Sequence, residues 1–195
     1  MRRKSAIPAL KPQDIVVLLK LITEGNKSWT QLSIAKALIM SQSEVSESLA
    51  RSGYARLLYE NGRKVARQPL MDLLQYGIAV VFPLQPGNVV RGIPTAHSAP
   101  PLKDLIQSNE QYVWPYAKGG VRGHAIQPLY GSVLPLVEQD TELYELLALT
   151  DALRVGKVRE RNLAIDLLKK KLLEESDYKP EGNYQSGQSI GRIKH

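Results

Sequence analysis

The stretch from Gln31 to Leu49 constrains this chain most, because it reads as two short helices joined by a tight turn. Ser41 is followed three residues later by Glu44, the spacing at which an N-cap hydroxyl and a glutamate satisfy each other's backbone N–H groups. Ser28 and Gln31 stand at the same spacing and predict a helix through about Leu38. Ile34, Leu38, Val45 and Leu49 are apolar at positions that would lock the two helices together, and Ala35 is small enough to sit where they cross. On a wheel of about 100° per residue, Val45 and Leu49 share one side of the second helix, while Ser43, Ser46, Glu47, Ala50 and Tyr54 fall on the opposite one. One face is built for a core and the other, small and polar, for an outside partner.

Charge points to what that partner is. The net charge is +7, and residues 1–100 carry all of it: 13 Lys/Arg against 6 Asp/Glu, while residues 101–195 hold 13 against 13. A localised basic field raises encounter rates with polyanions and supplies the sequence-independent part of nucleic-acid affinity. Cysteine is absent, which removes disulfides and thiolate metal sites from consideration. No apolar run reaches the 18 residues of a membrane span, and the basic start Arg2-Arg3-Lys4 lacks the long apolar stretch of a signal peptide. The expected location is cytoplasmic and nucleoid-associated, with no membrane contact.

Together these features predict a helix-turn-helix whose second helix enters the major groove of double-stranded DNA. Gln42, Ser43, Ser46 and Glu47 are the expected base contacts: Gln with adenine, Ser hydroxyls with either bases or phosphates, Glu with a cytosine amino group. Ser41, Arg51, Arg56, Arg63, Lys64, Arg67 and Arg91 are the expected phosphate contacts. The stretch Ser41-Gln42-Ser43-Glu44-Val45-Ser46 resembles the start of the recognition helix in bacterial winged-helix regulators of the MarR type. Ile39 stands where many such motifs carry glycine, and residues 56–77 form a long insert before the expected wing. The resemblance implies a transcriptional regulator, a repressor acting as a homodimer, with two recognition helices about one DNA turn apart. A second reading is a protein-interaction module or antitoxin-like component whose C-terminal half binds a partner protein.

The rest of the chain supports a mainly α fold with a small β-hairpin: a winged helix-turn-helix domain plus a helical C-terminal region. Residues 1–11 read as a flexible basic arm. A first helix starts at Pro12, carries Ile15, Leu18, Leu19 and Ile22 on one face, and stops at Gly25. Leu70, Leu73 and Leu74 mark a further helix that ends at Gly77. Ile78–Pro83 and Val89–Pro94, separated by a Pro-Gly turn, predict the wing hairpin and close the DNA-binding domain at 12–94. Residues 95–101 read as a linker. Residues 102–175 read as a helical dimerisation or partner-binding region, with a short helix near Leu102, an irregular stretch over 108–135 and leucine-rich helices over about 140–154 and 157–175. Residues 176–195 are polar and Gly-rich and predict a disordered tail.

Enzyme chemistry finds no foothold. His97, His124 and His195 have no ligand partners at metal spacing, and no nucleophile elbow or phosphate loop is present. Lys118–Gly123 reads as a tight turn, with Trp114 and Tyr116 beside it as a possible ligand or docking feature. No catalytic residue, metal or cofactor is expected.

Overall fold

Helix α1 (Pro12–Glu24) is apolar nearly all round, from Ile15 through Leu19 and again at Leu21 and Ile22, so it is stable only when wrapped on every side. The structure is a computed structural model describing residues 8–59, 62, 64–137 and 139–174, and α1 sits at its centre. Helices α2 (Gln31–Leu38), α3 (Gln42–Tyr54) and α6 (Thr141–Val155) pack around it. Gly25, with φ of 58°, ends α1 in a conformation that a side chain would strain.

Helix α2 begins two residues later than the Ser28–Gln31 spacing predicts. Its cap is Thr30, whose hydroxyl accepts the Ser33 N–H at 3.0 Å while the Thr30 N–H donates to the Ser33 hydroxyl. Helix α3 starts as expected, with Ser41 and Glu44 capping each other. Between them Ile39 holds φ of 52°, so the turn keeps the left-handed geometry usually given to glycine.

Beyond α3 the structure corrects the predicted wing. Ile78–Pro83 is no strand: α4 (Arg67–Asp72) continues through a π-turn over Leu73–Gly77 into α5 (Ile78–Val81), carrying the helix past the expected stop at Gly77 and burying Ile78. The antiparallel pair nearest α3 lies earlier, as β1 (Leu58–Tyr59) and β2 (Lys64–Val65), with Leu58 opposite Val65. Val89–Pro94 is a strand, β3, with other partners. Its first half pairs antiparallel with β5 (Val121–Ala125), its second half pairs antiparallel with β4 (Tyr112–Pro115), and β4 and β5 run parallel. The stretch 108–135 therefore supplies two strands of that sheet and then enters a 3₁₀ turn over Gly131–Leu136. Such tight closure needs bare backbone: a Cβ on Gly92 would lie 2.0 Å from the Trp114 carbonyl oxygen.

Residues 95–101 are no exposed linker either. Thr95 to Ala99 are buried, with Ala96–Ser98 in a 3₁₀ turn; the Thr95 and Ser98 hydroxyls and His97 Nε2 find partners inside, while His97 Nδ1 has no hydrogen-bond partner among the described residues. The Thr95 hydroxyl donates to Asp151 Oδ2 at 2.9 Å, and Trp114 Nε1 donates to the same oxygen at 2.6 Å. Arg154 Nη1 donates to Asp151 Oδ1 at 2.7 Å, so three donors share one buried carboxylate. The predicted short helix is a single 3₁₀ turn, Leu102–Asp104.

The C-terminal helices are α6 and α7 (Val158–Lys169), broken at Gly156 and extended by a π-turn over Lys170–Glu174. Leu143, Leu146, Leu147, Leu149 and Leu153 of α6 all face the interior, so they form core and not a free dimer surface. One apolar core runs from Ile15 of α1 to Leu172, with no break at residues 95–101. The fold is α-rich, with a two-stranded and a three-stranded sheet. No described helix is long and apolar enough to cross a membrane. Most of the expected arm (1–7) and the whole of the expected tail lie outside the described residues.

Candidate nucleic-acid interface

The two faces of α3 separate as their sequence requires. Val45, Ser48, Arg51 and Ser52 point inward, while Gln42, Ser43, Ser46, Glu47 and Ala50 are exposed. All four expected base-contacting residues thus share the first two turns of one helix. Small Ser48 and Ser52, fully buried, let α3 lie close on its neighbours.

The start of the helix is rigidly held. The Ser41 hydroxyl donates to Glu44 Oε2 at 2.8 Å and lies 3.0 Å from the Ser43 hydroxyl, while Glu44 Oε2 also accepts the Ser41 N–H at 2.9 Å. Those hydrogen bonds, from the Ser41 backbone first and its side chain second, hold the Glu44 carboxyl below its ordinary value. Tyr130, which follows the three-stranded sheet, donates to Glu44 Oε1 at 3.2 Å. The sequence carried no signal for this tie, because it joins residues 86 positions apart.

Two of the expected phosphate contacts are committed elsewhere. Arg51 is only 7% exposed, and its Nε and Nη2 donate to the two oxygens of fully buried Asp14 at 2.8 and 2.7 Å. Those hydrogen bonds raise the Arg51 pKa further above its ordinary value, and Glu47 adds a contact at 3.5 Å. Arg51 is therefore the clamp between α1 and α3 and not a phosphate ligand. Arg67 donates from Nη1 to the Leu172 carbonyl at 2.9 Å, tying α4 to the C-terminal helix. Arg56, exposed with φ of 60°, occupies the turn after α3, and Lys64 is exposed on β2. Arg63 lies outside the described residues. Arg91 is exposed, but on β3 of the three-stranded sheet.

Beside the polar face runs a groove of about 610 Å³, with Trp29, Leu32, Gln42, Ser46 and Tyr54 among its lining. Trp29 and Leu32 flank the start of α2 and were not singled out by sequence, since periodicity marks helix faces and not the rims between helices. Tyr54, also in its lining, is 60% exposed. The groove combines hydrogen-bonding groups with apolar surface, as base edges and thymine methyl groups require. Among the described residues no cluster of His, Asp and Glu could hold a metal ion. Compared with known proteins, the chain matches no family model, no curated protein and no solved structure.

Proposed function

We propose that this chain is a sequence-specific DNA-binding transcriptional regulator of the winged helix-turn-helix type, a repressor that acts as a homodimer. The observation that carries the reading is the exposed, N-capped start of α3, where Gln42, Ser43, Ser46 and Glu47 stand together in solvent. Recognition helices meet base edges with their N-terminal residues, and Gln42 and Ser46 also line the groove beside Trp29 and Tyr54. In this reading the wing is the β1–β2 pair, because it follows α3 directly in chain order and holds Lys64 on its second strand. Arg56 and Lys64 are the backbone contacts, and Arg51 supports them from behind by fixing α3 on α1.

A salt titration of binding to random duplex DNA tests the reading. A protein that neutralises several phosphates loses affinity steeply between about 50 and 200 mM salt. Absence of binding at low salt contradicts the proposal.

A further inference from the structure

The sheet β3–β4–β5 carries two like charges side by side. Arg91 and Arg122 are direct partners across the antiparallel β3–β5 pair. Residues so placed point to the same side of the sheet with Cβ atoms about 5 Å apart, and like charges there repel. Both side chains are exposed, and among the described residues neither guanidinium has an ion-pair or hydrogen-bond partner. Two residues along, Val89 faces His124 on the same side, and neither offsets the charge. Lys118 is exposed in the turn that joins β4 to β5.

No carboxylate is available nearby in sequence to neutralise this surface. Between Asp72 and Asp104, and again between Glu110 and Glu138, the chain holds no acidic residue, and those two stretches supply all three strands. Glu110, just before β4, is itself paired with Lys157 at 3.5 Å. The even charge balance of residues 101–195 therefore hides a sheet that is purely positive.

We propose that the β3–β5 face is a second, sequence-independent binding site for the phosphate backbone of duplex DNA, with Arg91 and Arg122 as its paired ligands and Lys118 at its edge. A guanidinium presents a planar fork of donors to phosphate oxygens, and the pair offers two such forks side by side. The mutual repulsion of the pair is relieved when an anion lies between them. The site extends the DNA-binding reading and rests on it for the identity of the polyanion, but not on α3 for its own affinity.

The test is a salt titration of wild type, R91A/R122A and R91K/R122K on a random duplex, with the melting temperature of each variant measured beside it. Losing two phosphate contacts should reduce the slope of log affinity against log salt by about 2. R91K/R122K should keep most of the slope, and R91A/R122A should melt no lower than wild type, since its removal ends a repulsion. An unchanged slope in R91A/R122A overturns the inference and leaves DNA contact to α3, Arg56 and the β1–β2 pair. If the slope falls as expected but Q42A/S46A selects the same DNA sequences as wild type, the backbone site stands and the α3 reading falls. If wild type binds no duplex at 50 mM salt, both fall together.

Discussion

A single buried pair sets the attitude of the proposed recognition helix. Asp14 is fully buried and Arg51 nearly so, and their two-point contact spans 37 residues of sequence. Taking one partner away strands the other charge inside, which typically costs about 3–5 kcal/mol. Asp14→Ala should therefore lower the stability measured by urea denaturation by about that amount. The double replacement D14L/R51M should recover most of the loss, because well-packed apolar side chains often match a buried ion pair. A cost below about 1 kcal/mol for Asp14→Ala would mean that the pair is screened by water and no clamp. Sequence inspection could not separate Arg51 from Arg56, since both follow the polar face of α3. Only the position of Asp14, whose carboxylate also accepts the Lys11 N–H at the start of α1, assigns Arg51 inward.

At the scale of elements, the parts legible in the sequence were those held by local rules. The caps at Ser41–Glu44, the stop at Gly25 and the break at Gly156 follow from neighbouring residues. Ile78–Pro83 misled for an equally physical reason: a short apolar run fits a buried helix as well as a strand, and its neighbours decide. Here the π-turn carried the helix past Gly77. Strands β4 and β5 were hidden because β3, more than 20 residues away from either pairing in places, is what makes them strands. Their closure rests on glycine. At Gly92 a methyl group would meet backbone atoms of Trp114 at 2.0 and 2.8 Å, and backbone has little room to yield. Gly92→Ala should cost about 3 kcal/mol, the upper end for overpacking, and lower the melting temperature accordingly. An unaltered melting temperature would show that the sheet opens without loss.

Across the whole molecule, the expected partition into a DNA-binding half and a separate C-terminal region gives way to one continuous core around α1. Lys20 of α1 reaches Asp140 at the head of α6 at 2.9 Å, and Tyr130 reaches the cap of α3, so the C-terminal residues brace the helix proposed to read DNA. That bracing gives residues 102–174 a structural role. The α3 face was legible because four polar residues, Gln42, Ser43, Ser46 and Glu47, recur at helical spacing within two turns. The Arg91–Arg122 pair was not, because it exists only in the sheet register. The proposed function turns on α3, and selection from a random DNA library with wild type and Q42A/S46A tests it most directly. Both side chains are exposed, so the variant should fold as wild type does. Wild type should enrich a defined site, and the variant should enrich a different or degraded one, since each base contact contributes about 1–3 kcal/mol of discrimination. Enrichment of the same site by both proteins would contradict the assignment of α3 as the reading helix.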